Sequence, residues 1–172
     1  MPIIPDDKDW TWVLSTPCSQ CGFDASTVTP ATVPGTVLNM LPRWRAVLRR
    51  EEVAERPNDQ TWSPLEYACH VRDVFTLFDR RLKLMLSQED AHFDDWDQDK
   101  AAIDGDYEHA DPADVAGQLV AGGEQISSSF ASVTEDSWPR TGVRSNGSTF
   151  TVLTLAQYFL HDVVHHLHDV NG

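Results

Sequence analysis

Apolar side chains recur at helical spacing in three segments of the chain, and each segment has a marked start. The first segment begins with a capping box at Ser63 and a proline, Pro64, at the first helical position. The second begins at Asp111 and Pro112, and the third begins with a capping box at Thr154. These signals predict helices over residues 64–88, 112–133 and 154–170.

The remaining segments carry weaker signals. Residues 36–52 show a helical face, but Pro42 should kink this helix or delay its start. Asn146-Gly147 is typical of a two-residue β-hairpin turn, so a short hairpin should precede the last helix. Residues 89–108 are acidic and aromatic and are expected to form a long ordered loop. We expect only this short hairpin and not a sheet domain.

Four helices with mixed connections predict an all-α fold, a four-helix bundle over residues 34–172 that follows an irregular N-terminal arm over residues 1–33. The length of 172 residues suits one such domain.

The charge of the chain limits its partners. Thirteen Lys and Arg against 27 Asp and Glu give a formal net charge of −14, which disfavours nucleic acids and anionic membrane surfaces. The N-terminal segment lacks the basic and apolar regions of a secretory signal, and no apolar run reaches the length of a membrane helix. We therefore expect a cytoplasmic protein without nucleic-acid or membrane partners.

Four of the seven histidines fall on the predicted last helix. His161 and His165 share one helical face, whereas His166 lies on a different face. Apolar neighbours predict that at least one of the pair turns inwards, where a buried imidazole needs a partner. His70, on the inner face of the first marked helix, supplies a third imidazole. His70, His161 and His165 thus predict a divalent-metal site with open coordination positions, and His168 could replace His165 or add a fourth ligand.

Imidazole ligands suit several transition metals, among which zinc and nickel are favoured here. Two carboxylates stand beside the predicted ligands. Glu66 and Asp162 could orient them, but the favoured interpretation is a solvated charge for both, or for Glu66 simply its place in the capping box.

Cys18 and Cys21 form a Cys-x-x-Cys unit in the arm. A structural zinc site needs two further ligands, and the chain has no second Cys-x-x-Cys. Three interpretations remain open for the pair: a disulfide, a metal site shared with His92 or His109, or two free thiols.

Residues 62–70 (WSPLEYACH) and 160–166 (LHDVVHH) resemble the DinB-like superfamily of four-helix bundles. The resemblance covers about residues 34–170 and includes the YfiT-like and mycothiol-dependent maleylpyruvate isomerase branches. In that superfamily one histidine of the second helix joins an H-x-x-x-H pair of the fourth helix around a divalent metal. The resemblance therefore implies His70, His161 and His165 as ligands. The Cys-x-x-Cys arm is similar to that of single-domain actinobacterial members.

The resemblance implies a metal-dependent thiol S-transferase or isomerase, in which a mycothiol-type thiol attacks a small electrophile as its thiolate. The alternatives are a metal-dependent hydrolase and a non-enzymatic bundle that binds a metal or a small molecule. The chain ends two residues beyond the predicted last helix, without the additional C-terminal domain usual in the isomerases, so maleylpyruvate itself is not expected.

Residues 96–99 (WDQD) are similar to the pocket loop of the mycothiol-related branch. The resemblance implies that Trp96 lines a substrate pocket, although an ordinary core position fits it equally. Members of the superfamily often dimerise, so a homodimer is also implied, and the arm could serve as its contact.

Overall fold

The computed structural model describes residues 9–172, which contain five α-helices and three short strands. The helices are α1 (Val33–Val47), α2 (Pro64–Ser87), α3 (Gln98–Asp104), α4 (Pro112–Ala131) and α5 (Val152–Asp169); the strands are β1 (Ala91–Phe93), β2 (Thr141–Arg144) and β3 (Thr149–Thr151). Residues 1–8 of the predicted arm lie outside the described residues. They include the N-terminal segment that lacks the features of a secretory signal. No helix in residues 9–172 has an apolar stretch that could cross a bilayer.

The predicted four-helix bundle is confirmed: α1, α2, α4 and α5 pack around one apolar core. Phe159 of α5 lies near its centre and is fully buried. Its ring is 5.3 Å from Phe78 and 5.9 Å from Phe75, both on α2, and 5.9 Å from Phe130 on α4. Aromatic contacts of this kind add to the burial energy of the rings, so they tie three helices of the bundle together.

The capping box of α2 is present as predicted. The Ser63 hydroxyl accepts a hydrogen bond from the Glu66 backbone N–H at 3.2 Å, and the Glu66 carboxylate accepts one from the Ser63 N–H at 2.8 Å. The same carboxylate forms an ion pair with the Arg56 guanidinium. Glu66 therefore has the structural role of capping α2 and does not orient a metal ligand. The start of α2 sets the position of His70 one turn later.

Two other helix boundaries differ from the prediction. Helix α5 begins at Val152 because Thr151, rather than Thr154, is the N-cap; the two threonines cap each other, with Thr154 at the third helical position. Helix α1 begins before Thr36, continues through Pro42 and ends at Val47. A proline lies in its first turn, where the missing N–H costs nothing, and this explains the earlier start.

The prediction of a long loop for residues 89–108 is wrong. Strand β1 pairs in parallel with β2, so the expected hairpin grows into a three-stranded sheet of order β1-β2-β3. Helix α3 begins at Asp97, whose side chain accepts a hydrogen bond from the Lys100 N–H at 2.9 Å. None of the α3 residues is buried, so this helix has no apolar face that a periodicity could reveal.

The hairpin between β2 and β3 is present, but its loop has three residues rather than two. The Arg144 N–H donates to the Ser148 carbonyl at 2.9 Å, and the Gly147 N–H donates to the Arg144 carbonyl at 2.8 Å. Gly147 has a φ of +94° and closes the loop. A turn followed by a left-handed glycine is the usual build of three-residue hairpin loops.

The described part of the arm packs on α5 and shares the core of the bundle. It contains two short 3-10 turns, Trp10–Leu14 and Ala25–Thr27, and the side chains of Cys18 and Phe23 are buried between them. The Gln157 amide of α5 donates to the Ala25 carbonyl at 2.9 Å. The arm therefore forms a wall along α5, on the side that carries the histidines.

Candidate metal centres

Helix α5 presents two neighbouring rows of metal-binding side chains. His161 and His165 form one row and Asp162 and His166 the next, about 100° further around the helix. The first row faces the arm, whereas the second faces His70 on α2. The crossing of α2 over α5 and the course of the arm thus assign the two rows to different partners.

The cysteine–histidine cluster consists of Cys18, Cys21, His161 and His165. Each residue contributes one potential ligand atom, and these four atoms lie within 4.8 Å of one another. The Cys18 Sγ is 3.6 Å from the His165 Nδ1, and both side chains are buried. The Nε2 of His161 is buried without a hydrogen-bond partner among the described residues.

The histidine–aspartate cluster consists of His70, Asp162 and His166, again with potential ligand atoms within 4.8 Å of one another. The Asp162 Oδ1 is 3.1 Å from the His70 Nε2 and 3.4 Å from the His166 Nε2. His70 is fully buried, and its Nδ1 has no hydrogen-bond partner among the described residues. Asp169 lies 3.0 Å from the His166 Nδ1. The Nδ1 donates to Asp169, so Nε2 is the ring nitrogen that faces the cluster.

Electrostatics keep His70, His161 and Asp162 in the protonation states that metals require. Burial lowers the pKa of His70, and burial together with the neighbouring His165 lowers the pKa of His161 to about 4. Burial raises the pKa of Asp162, but the histidines around it, His70 first, outweigh burial and bring the value down to about 2. At neutral pH His70 and His161 are therefore uncharged and Asp162 is ionised, which are the forms that bind a metal.

A cavity of about 940 Å³ opens beside both clusters. The arm, α2, α5 and the loop before α3 line it, and Trp96 lies in its wall. The Trp96 ring also stacks on His70, with ring centroids 5.3 Å apart. Six aspartates line the cavity against one arginine: Asp9, Asp95, Asp97, Asp99, Asp162 and Asp169 against Arg144. The cavity is thus acidic and partly aromatic.

The structure divides the three predicted ligands between the two clusters: His161 and His165 lie with the cysteines, and His70 lies with Asp162 and His166. His166, which was assigned to a face away from the site, instead reaches His70, with ring centroids 4.8 Å apart. Its signal was present in the sequence, since Asp162 and His166 are themselves four residues apart. Periodicity alone could not show which of the two rows faces α2.

The other candidates lie elsewhere. His168 and His92, the latter on β1, are both exposed, and neither belongs to a cluster. His109 is exposed and pairs with Asp106. Cys18 and Cys21 are not joined by a disulfide in the described chain, and their histidine neighbours are those of α5.

The comparison with family models gives a match to the DinB superfamily over residues 37–170. The chain belongs to the DinB superfamily. Among solved structures, it is similar to YfiT from Bacillus subtilis, which is described as "a probable metal-dependent hydrolase with an unusual four-helix bundle topology". The two chains share 14% identity and superpose with a TM-score of 0.73 over 84% of this chain and 89% of the other, so the likeness establishes the fold. The comparison with curated proteins found no match.

Within the superfamily, the match does not distinguish the mycothiol-related branch from the others. Both clusters fit a divalent metal on their own chemistry. One joins two imidazoles to a carboxylate, the other joins two imidazoles to two thiols, and both contain a buried imidazole nitrogen without a partner among residues 9–172.

Proposed function

We propose that this DinB-superfamily protein is a metal-dependent hydrolase of small neutral or cationic molecules, with the ion held by His70, Asp162 and His166. The donor set carries the proposal, because two imidazoles and a carboxylate converge beside an open cavity. Catalytic zinc sites of hydrolases use two histidines and one carboxylate in the same way and leave a position for water or substrate. When bound, a divalent ion supplies a Lewis acid that makes water a stronger nucleophile at neutral pH.

The surrounding side chains hold these donors in place. Asp169 accepts a hydrogen bond from the His166 Nδ1 and so orients its Nε2. The rings of Trp62 and Trp96 lie 5.5 and 5.3 Å from the His70 ring. Little rearrangement is then needed when the ion binds, and a preorganised site keeps the ion in a defined position towards the cavity.

The charge of the cavity supports the substrate class. Six aspartates and one arginine line it, so the local potential is negative even after one divalent ion is added. Carboxylates and phosphates are repelled from such a wall, whereas amines and uncharged polar molecules are not. The volume of about 940 Å³ admits molecules of drug size.

Thiol S-transfer is the second candidate, and the position of Trp96 and Asp97 in the cavity wall favours it, because this loop is the one that resembles the mycothiol-related branch. Two features favour hydrolysis over it. Asp162 compensates one of the two charges of the ion, whereas a site of three imidazoles would leave both to stabilise a thiolate. The acidic wall also opposes an anionic thiolate. The description of the Bacillus protein as a hydrolase points in the same direction.

Metal analysis of untagged protein tests the site first. In the His166→Ala variant we expect the loss of about one equivalent of metal per chain, and an affinity for cobalt at least about tenfold lower. His70→Ala should behave alike. His168→Ala is the matched control, because His168 lies on the same helix but is exposed and in neither cluster. Unchanged metal content in folded His166→Ala and His70→Ala variants would overturn the site.

Activity is then measured on a panel of esters, amides and lactones with neutral, cationic or anionic groups. We expect kcat/KM to be highest for the neutral and cationic members and to fall at least about tenfold in His166→Ala. An absence of hydrolysis, together with metal-dependent conjugation of mycothiol to monochlorobimane, would replace the hydrolase by the thiol S-transferase.

A further inference from the structure

We propose that Cys18, Cys21, His161 and His165 form a second metal site, a closed structural zinc site that joins the N-terminal arm to α5. This site uses none of the three donors of the proposed catalytic centre, so it stands or falls independently of the proposed function. It also assigns a role to the Cys-x-x-Cys unit, for which the sequence left three interpretations open.

The two cysteines lie on a tight turn that directs both thiols to the same side. The Gly22 N–H donates to the Cys18 carbonyl at 2.9 Å, and the Cys18 N–H donates to the Phe23 carbonyl at 2.8 Å. Gly22 has a φ of +75°, a backbone conformation that residues with a side chain rarely adopt. A short Cys-x-x-Cys turn of this kind offers two of the four ligands of a structural zinc.

The two histidines supply the other half from one turn of α5. Side chains four residues apart on a helix are neighbours, and His161 and His165 have ring centroids 5.0 Å apart. Both are buried, and the His161 Nε2 has no hydrogen-bond partner within the described part of the chain. A metal would satisfy this nitrogen, which otherwise carries the cost of an unpaired buried polar atom.

The separation of the donors matches a tetrahedral ion. Bond lengths of about 2.3 Å to sulfur and 2.05 Å to nitrogen place a sulfur and a nitrogen about 3.6 Å apart on a tetrahedron. The Cys18 Sγ and the His165 Nδ1 are 3.6 Å apart, and all four donors fall within 4.8 Å. Two thiolates and two neutral imidazoles also compensate the double charge of the ion, so the complex can stay buried.

Aromatic side chains pack against the site, although His161 and His165 also border the cavity. Trp10 covers the histidines, with its ring 5.6 Å from that of His161 and 5.3 Å from that of His165, and the Phe23 ring contacts His161 edge-on at 5.6 Å. Four protein ligands under an aromatic cover leave no position for substrate, which is typical of structural rather than catalytic zinc. Because Trp10 and Gln20 also line the cavity, the site fixes one of its walls.

The test uses the untagged full chain, zinc analysis and cobalt substitution. We expect wild-type protein to carry a zinc equivalent whose cobalt form shows a thiolate-to-cobalt charge-transfer band in the near ultraviolet. Both the equivalent and the band should be lost in Cys18→Ser/Cys21→Ser and in His165→Ala, which leaves the cysteines in place. Cys69→Ala is the matched control, since this buried thiol lies in neither cluster.

Limited proteolysis tests whether the metal site holds the arm on α5. Cleavage of the arm should accelerate at least tenfold in the double cysteine variant or after chelation, while the bundle stays helical by circular dichroism. Retention of the zinc and the cobalt band in the double variant, or a Cys18–Cys21 disulfide in protein purified anaerobically, would overturn the proposal. If only the metal equivalent that depends on His166 were missing, that result would count against the proposed hydrolase and not against this zinc site.

Discussion

Two adjacent glycines in the middle of α4 should respond oppositely to the same substitution. Both Gly122 and Gly123 weaken the helix relative to alanine by about 1 kcal/mol, because glycine loses more backbone entropy on folding. A Cβ on Gly122 would lie 3.4 Å from the Phe75 Cβ, an ordinary contact. A Cβ on Gly123 would lie 2.3 Å from the Leu41 Cδ2, which is a clash, and 3.1 Å from the Phe75 Cε2, which is a tight contact that limits how the Cβ can be accommodated.

The magnitudes follow from these distances. Gly122→Ala should raise the free energy of unfolding by about 0.5–1 kcal/mol, since it keeps the gain in helix propensity. In Gly123→Ala, overpacking of the buried contact with α1 costs about 1–3 kcal/mol and outweighs that gain, so a net loss of up to about 2 kcal/mol is expected. The difference between the two variants should thus be about 1–3 kcal/mol.

Urea denaturation followed by circular dichroism, at a fixed concentration of metal, measures both variants. Gly117→Ala is the control, because this exposed glycine of the same helix has no atom within 4 Å of an added Cβ. It should match Gly122→Ala. An equal stabilisation in all three variants would refute the reasoning, because it would mean that Leu41 can move aside without cost and that α4 does not pack tightly against α1.

Further predictions concern the start of α2 and the hairpin loop. Burial raises the pKa of Glu66, but the Arg56 guanidinium and the Ser63 groups outweigh it and hold the pKa below its ordinary value of 4.5. This carboxylate therefore stabilises the fold above about pH 4.5, and the stabilisation is lost as the pH falls through the lowered pKa. Glu66→Gln should lower the free energy of unfolding by about 1.5–3 kcal/mol at neutral pH. The difference from wild type should shrink in acid, and urea titrations at several pH values measure it. A difference that does not depend on pH would contradict this role of Glu66. Gly147→Ala should lower the free energy of unfolding by about 1 kcal/mol through its left-handed conformation, measured in the same way, whereas unchanged stability would show that this conformation is not required.

Local chemistry was sufficient to predict most of the bundle. The capping box at Ser63 and the proline after Asp111 act through groups within one helical turn, so their effect can be recognised without knowing the rest of the fold. The boundaries of α1 and α5 were less accurate for different reasons. In α5 two possible N-caps, Thr151 and Thr154, lie three residues apart, whereas α1 starts early at a proline in its first turn and has no side-chain cap.

Strand β1 could not be predicted, because its three residues become a strand only by pairing with β2, about fifty residues later. Helix α3 had a recognisable N-cap in Asp97, but it buries no side chain and so leaves no periodic apolar pattern. Strand β1 depends on a contact with a distant segment, and helix α3 is solvated on all sides. Neither condition leaves a strong pattern in the local sequence.

The types of metal ligand were determined by the sequence itself: imidazoles at helical spacing on α5, one on α2, and a Cys-x-x-Cys unit in the arm. Their grouping was decided only by the tertiary structure. The row of His161 and the row of Asp162 differ by one residue, and an amphipathic pattern cannot tell which of two adjacent rows meets α2 and which meets the arm. That choice depends on how α2 and α5 cross and on where the arm folds back, and both are set by packing between residues far apart in the chain.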